Sequence, residues 1–442
     1  MRKALSGFLA FVLLVLVAVL AVTGTMYVLR QTQRRTDVKD SVQGIEITPP
    51  KKDNSSDFSK IDNESLASRD GEKEIISSKG FEALDDENEK YLYECLRDSV
   101  YRISDEVDER GRYKTELIEV TGAEMESSAI NTTINAFLYD NPQIFWMDNY
   151  FGYYTEDNKT YVECYSVLSG NQCELCINKL NKRIEEMLSC ITSEDGKLER
   201  ERKLHDKLLE KCRYNKDVTS LDDGWQYFSS YGAIVDGQAV CEGYSKAMML
   251  LLNLAGVEST TIRGEGESVR HMWNLVSIGG NWYHLDATWD DDDEEYSYDF
   301  FNLSDERIQA DHIIDPLLSA ETYTDNFSYN FFLPQCSSLE MSYYNVEGLI
   351  INSIDSSTDN SIADLIYNKA EKGEQWVYFM VGDDLSYDDF IEYLLGDDAS
   401  KLSELSKRAN EYLSNGYKLN TYSFKNLKST DRKTIRIGLV YE

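Results

Sequence analysis

Residues 270–290 impose the tightest constraint on this chain. Two β-prone runs, Arg270–Ile278 and Asn281–Asp286, flank Gly279-Gly280, the mark of a two-residue hairpin turn. With both glycines at the turn centre, Ile278 faces Asn281 and Trp273 faces Asp286. Side chains alternate with period two along a strand, so His271, Trp273, Asp286 and Thr288 then share one face. His271 is diagonal to Asp286, about 7–8 Å away between backbone positions, a gap that two side chains bridge. A turn one residue longer would send them to opposite faces, so this reading makes a definite demand on register.

A second segment, Tyr231 to Leu250, runs from a turn into a helix. Tyr244, Ala247, Met248, Leu251, Leu252 and Ala255 trace one apolar face, and Gly256 supplies the stop. Projected backwards, the pattern puts Cys241 on the buried face at or just before the helix N-terminus. There the helix dipole and free N–H groups favour a thiolate, and the same N–H groups can bind a developing oxyanion. Alone, such a cysteine reads equally as a small core residue. Followed by His271 and Asp286, it completes one mechanism: a thiol nucleophile, an imidazole that takes its proton, and a carboxylate that fixes the ring's tautomer. His284 shares the predicted face of His271 and is the runner-up base. His205, beside Asp206 and Leu204, reads as a structural hydrogen-bonder in a helix, and His312, after Asp305, Glu306 and Asp311, as a residue at a cleft edge.

Cys241-Glu-Gly-Tyr, His271-Met-Trp-Asn and Trp282-Tyr-His-Leu-Asp286-Ala-Thr-Trp-Asp together resemble the core of the transglutaminase-like superfamily, found in many bacterial surface proteins. The resemblance extends from about Lys203 to the Tyr296–Asp305 stretch, and it touches Asp140-Asn-Pro-Gln-Ile-Phe-Trp146. It implies an α+β, papain-like fold in which a helix-borne cysteine packs against an antiparallel sheet carrying the histidine and aspartate. Carried over residue by residue, it assigns Cys241 as nucleophile, His271 as general base and then acid, and Asp286 as the orienting carboxylate. For the oxyanion, the Cys241 backbone N–H and the Gln238 side chain are candidates. Trp273, Trp282 and Trp289 read either as walls of an acyl channel, with Trp273 and Trp289 the preferred pair, or as a hydrophobic strand face. No cofactor and no metal is expected: the acidic run Asp290–Glu295 lacks EF-hand spacing and reads as a solvated loop that favours neutral or basic substrates.

The surroundings are read from composition. The chain carries 79 Asp+Glu against 45 Lys+Arg, and Arg2, Lys3, Arg30, Arg34 and Arg35 fall within an acid-free stretch at the start, so the rest is strongly acidic. That excludes a nucleic-acid partner, which calls for a basic surface. Ala4 to Leu29 is uncharged and long enough for a bilayer core, so 1–30 reads as a transmembrane signal-anchor, with a cleaved signal peptide as the alternative. The expected location is the cell membrane, single-pass, with the remainder extracytoplasmic. Residues 31–80 are polar, with Pro49-Pro50, and read as a disordered linker. Residues 81–195 follow as an N-terminal helical or mixed region with helices within 82–106, at 131–139 and at 173–190. Next come a catalytic core at 196–325 and a small α/β module at 340–442 of β-α-β-α-β-β order. Cys173 and Cys176 fall on one helix at i and i+3, and the eight cysteines do not form a disulfide framework. Two functions follow: a thiol enzyme acting on acyl groups of protein or peptide, including cell-wall peptide, or a catalytically silent scaffold that keeps the fold.

Overall fold

A computed structural model describes residues 43–47, 58–60, 76–291, 296–319, 329–414 and 416–442. The expected membrane helix and most of the expected linker lie outside the described residues, and no described helix is long and apolar enough to cross a membrane. Two short pieces of the linker are strands: β1 (Gln43–Glu46) and β2 (Phe58–Lys60). They join the sheet through main-chain pairing, which needs no apolar pattern and so leaves little trace in composition.

The expected helix within 82–106 is shorter. Asp86 caps α1 (Glu87–Ser99) by accepting from the N–H groups of Asn88 and Glu89. Leu92 and Leu96 bury its apolar face, but Ile103 belongs to strand β3 (Arg102–Val107). With β4 (Tyr113–Thr115), β5 (Ile118–Thr121), β6 (Met147–Glu156) and β7 (Lys159–Ser166), these strands make a seven-stranded sheet. Helix α2 (Ser127–Asp140) ends at the expected Asp140-Asn-Pro turn. The buried Asp140 carboxylate accepts from Gly80 N, Phe81 N and the Tyr93 hydroxyl, each at 2.8 Å, and so ties the preceding chain to the helix end. Helix α3 (Gly170–Leu188) starts at a Ser169–Gln172 capping box and carries Cys173 and Cys176, the first of them buried.

Beyond it, α4 (Lys197–Lys211) packs Leu204, Leu208 and Leu209 into the same core as α5 (Cys241–Leu254). Not only the predicted face of α5 is buried; Met249 and Leu250 are fully covered too, as for a helix enclosed on all sides. Its partner is a five-stranded sheet of β8 (Ser259–Gly266), β9 (Val269–Ile278), β10 (Asn281–Leu285), β11 (Phe301–Leu303) and β12 (His312–Ile314). The spatial order is β11-β10-β9-β8-β12, with every pairing antiparallel. The hairpin forms in the predicted register: Ile278 pairs with Asn281, and Gly279 and Gly280 take φ of 63° and 87°, which side chains would resist.

The last block has its own sheet, β13 (Leu349–Ile351), β14 (Trp376–Val381), β15 (Lys425–Ser429) and β16 (Thr434–Gly438), in the order β13-β14-β16-β15. Helices α6 (Ser356–Glu371) and α7 (Tyr387–Asn410) cover it, burying Ile362, Ile366, Phe390, Leu394 and Leu405 in a separate cluster. Strand β15 begins at Lys425, and Leu419 before it makes a single bridge to Tyr441. This module abuts the core through Arg307–Asp383 at 2.7 Å, Arg436–Asp299 at 3.0 Å and an Arg432–Asp311 pair.

Strand β8 contains two glycines for a steric reason. A Cβ on Gly264 would lie 2.1 Å from the Ile313 carbonyl oxygen and 2.8 Å from the Trp273 ring, and one on Gly266 would lie 2.6 Å from the Trp289 ring. Gly266→Ala should therefore destabilise by about 1–3 kcal/mol, as overpacked sites do. Gly196→Ala, whose added Cβ meets nothing within 4 Å, should change stability by about 0.5 kcal/mol or less. Urea denaturation of the two variants checks the difference.

Candidate active site

Three local structures deliver the polar groups. Cys241 is the first residue of α5, after the extended Val240. The first bond of the helical ladder runs from Tyr244 N–H to Val240 O, so the N–H groups of Cys241, Glu242 and Gly243 precede that ladder. Gly243 lets the helix start approach its neighbours: a Cβ there would sit 2.6 Å from the Tyr227 carbonyl and 2.7 Å from Ala239 Cβ. His271 lies in β9, paired with Gly264 across β8. Asp286 follows β10, beside an irregularity at His284/Leu285, and caps the short helix Ala287–Asp290.

These elements bring the predicted trio together. His271 Nε2 donates to Asp286 Oδ2 at 2.6 Å, and both side chains are buried. That leaves Nδ1 as the ring's other polar atom, and Cys241 is among the groups whose interaction raises the His271 pKa. Burial alone would discharge the imidazole, but the Asp286 charge and hydrogen bond, helped by Cys241, outweigh it and push the His271 pKa up to about 10. Burial likewise opposes ionisation of Asp286; the charge and hydrogen bond of His271, with the bond from His312, hold its carboxyl well below the usual carboxylate range. Asp286 Oδ1 accepts from Thr288 N at 3.0 Å and Trp289 N at 3.2 Å, so both oxygens are occupied.

Two residues to which the sequence reading gave no role align the helix with the strand. Asn274 Nδ2 donates to the Ser245 carbonyl at 2.9 Å, and Ser245 Oγ donates to the Cys241 and Met272 carbonyls, both at 2.8 Å. The asparagine of His-Met-Trp-Asn thus works as a cross-link between α5 and β9.

Several expectations need correction. His284 is not an available base: it is fully buried, its Nδ1 accepts from Trp273 Nε1 at 3.0 Å, and Nε2 meets Asp305 Oδ1 at 2.9 Å. Burial lowers its pKa against the pull of Asp305. Trp273 is fully buried and stacks on His271 with ring centroids 5.8 Å apart, so it backs the histidine rather than walling a channel. Trp289 does adjoin the site, 5.4 Å from His271, whereas Trp282 packs edge-on against Phe332. Gln238 is exposed, and its Oε1 accepts from Asn215 at 3.1 Å. Asp290, expected in a solvated loop, is fully buried and accepts from Ser297 Oγ at 2.8 Å and Phe300 N at 3.0 Å. Its neighbour Asp291 takes a hydrogen bond from the Tyr244 hydroxyl, and residues 292–295 lie outside the described residues. His205 behaves as expected, buried between Asp206 and Asp290.

Sequence comparison adds a family match over part of the chain. The family model described as Transglutaminase-like superfamily matches residues 186–287, a span that contains Cys241, His271 and Asp286. Residues 186–287 are a transglutaminase-like domain. No curated protein matches the chain. Among solved structures, a TGase is similar at 13% identity and TM-score 0.25, over 41% of this chain and 53% of that one. A candidate cysteine protease from Cytophaga hutchinsonii is similar at 15% identity and TM-score 0.20, over 30% and 55%. The chain thus spans about half the length of each solved relative. His312 lies beyond the matched transglutaminase-like segment, yet its Nε2 reaches Asp286 Oδ2 at 3.1 Å.

Two donor trios are close enough to be weighed as metal sites, His271–Asp286–His312 and His284–Asp305–Cys336. In the first, each ring nitrogen meets a carboxylate oxygen in N–H···O geometry. In the second, Asp305 Oδ2 accepts from the Cys336 backbone N–H while Oδ1 meets His284. Hydrogen bonding accounts for both, and no metal role is assigned.

The charge signs predict a stability window for the transglutaminase-like domain. His271, with a raised pKa, contributes fully below its unfolded value of about 6.5 and loses that contribution as pH rises through about 10. Asp286, with a lowered pKa, contributes above about 3.9 and loses its share as pH falls through its folded value. In Asp286→Asn the His271 ring should titrate lower by about 1–3 units. NMR titration of the four histidine rings in both proteins measures this.

Proposed function

We propose that this protein is a cysteine-dependent acyl enzyme acting on protein or peptide substrates. The observation that carries the reading is the His271 Nε2–Asp286 Oδ2 bond at 2.6 Å, which leaves Nδ1 open on a ring whose charge Cys241, the first residue of α5, also influences. With Nε2–H committed to Asp286, Nδ1 is the atom able to take the thiol proton. The Cys241 sulfur attacks the amide carbonyl, the N–H groups of the helix start receive the oxyanion, and His271 returns the proton to the leaving amine. Breakdown of the resulting thioester by water gives hydrolysis, and attack by a primary amine gives transfer. The triad chemistry is common to both routes, so the accessibility of water or amine to the thioester selects the outcome.

A cavity of about 300 Å³ lies along the first turns of α5, and neither Cys241 nor His271 lines it. Its lining includes Glu242, Lys246 and Met272, chain neighbours of Cys241 and His271, together with Trp225, Phe228 and Tyr150. Aromatic walls with paired charges suit a peptide segment better than a small anion. The uncharged Ala4–Leu29 stretch and the long acidic remainder support a membrane anchor with the enzyme outside the cytoplasm, facing extracellular or cell-wall peptide.

Iodoacetamide labelling near neutral pH, with peptide mapping of the eight cysteines, tests the thiol. Cys241 should react faster than a free thiol, and His271→Ala should slow it by about 10²-fold or more, in line with the loss of an acid–base partner. Equal rates in the two proteins would remove the enzyme reading. Mass spectrometry of peptides incubated with and without a primary amine then separates transfer, which gives amine adducts, from hydrolysis, which gives cleaved or deamidated products. Cys241→Ser should abolish both.

A further inference from the structure

Asp286 serves two histidines. Its Oδ2 receives His271 Nε2 at 2.6 Å and His312 Nε2 at 3.1 Å. His312 comes from the far side of the sheet: it sits in β12, opposite Gly266 of β8, while His271 sits in β9 on the other flank of that strand. The two rings meet over β8, 5.4 Å apart, because Gly264 and Gly266 present no side chain there. Trp289 closes the arrangement, with its ring 4.3 Å from His312.

The second nitrogen of His312 is also engaged. Nδ1 faces Asp311 Oδ1 at 2.7 Å, and Asp311 Oδ2 takes the guanidinium of Arg432. A ring set between two carboxylate acceptors donates from both nitrogens, so His312 is an imidazolium. Arg432 lies between β15 and β16, on the C-terminal module, and its guanidinium rests on the Phe300 ring at 4.2 Å. The other charged neighbours do not replace this path. Arg270 is committed to Asp315 at 2.6 Å, and Glu265 and Glu267 flank Gly266 in the chain opposite His312.

We propose that His312 is a positioning residue through which the C-terminal module, by way of Arg432 and Asp311, holds Asp286 in place and sets its charge toward the Cys241–His271 pair. The proposal rests on the cysteine-dependent reading above. Residues 311, 312 and 432 all lie outside the transglutaminase-like match. The imidazolium offsets part of the Asp286 charge, so the catalytic ring is oriented by a full carboxylate without being over-stabilised as a cation. The burial-opposed rise in the His312 pKa, caused by Asp286 and Asp311, agrees with that charge.

The test uses the full chain and the pH profile of Cys241 carboxamidomethylation, read by peptide mapping. His312→Gln and Arg432→Gln each leave the network one positive charge poorer. The inflection at which Cys241 becomes reactive should therefore move to higher pH, by about 1 unit in His312→Gln and by less in Arg432→Gln. Arg432→Lys should restore most of the shift, and the double variant should differ little from His312→Gln alone. Profiles that overlay the wild type, a shift to lower pH, no rescue by lysine, or additive effects would each overturn the proposal. Should His312→Gln fail to fold in a thermal melt, the Arg432 pair decides the matter alone. A wild-type Cys241 no faster than a free thiol would instead overturn the enzyme reading, which keeps the two failures apart.

Discussion

The site depends on one buried carboxylate. Asp286 is fully covered, and an isolated charge at such a depth would neutralise itself or unfold its surroundings. It persists because four donors converge on it: two ring N–H groups on Oδ2 and two backbone N–H groups on Oδ1. The four donors belong to three different commitments of the fold. His271 requires the hairpin in register, Thr288 and Trp289 require the chain to turn into a helix, and His312 requires the edge strand β12 to close over β8. Satisfying the charge and assembling the sheet are therefore one problem with one solution.

What could be read in advance follows from periodicity. The Gly279-Gly280 turn fixes register, period two then fixes which side chains share a face, and period 3.6 places Cys241 at the helix start. Those rules act over a few residues and need no knowledge of what lies across the core. They fail where a contact joins distant segments. Between Asp286 and His312 lie strand β11 and the short helices Ala287–Asp290 and Asp305–Ile308, and nothing in the immediate sequence of His312 announces a partner on the opposite side of β8. Asn274 could have been suspected, since a polar residue amid Met272, Trp273, Leu275 and Val276 must find hydrogen bonds when buried. His284 illustrates the converse: the shared face was a sound inference, but burial with both nitrogens engaged removes it from the chemistry.

Charge misled in one place and was silent in another. A run of acids ordinarily turns to water, yet Asp290 turns inward to organise the Ser297–Phe300 segment and to face His205. The linker stretch holds too few apolar residues to promise structure, yet β1 and β2 lie on the edges of a sheet that already exists. Edge strands need only backbone, so composition is a poor guide to them. The N-terminal sheet in turn supplies Tyr150 and Met147 to the cavity beside the cysteine helix, giving residues with no chemistry of their own a part in shaping access to it.

The two glycines of β8 carry a last consequence. Gly264 and Gly266 leave the end of β8 without side chains on one face, and glycine gives up more chain entropy on ordering than any other residue. Here the missing packing is supplied from outside, by the Trp273 and Trp289 rings that lie where Cβ atoms would have been. The same two rings pack against His271, so the order of this strand end and the setting of that histidine are linked. Local melting of β8 should then take the His271–Asp286–His312 cluster with it as a single cooperative event, because the cluster and the sheet share the same packing.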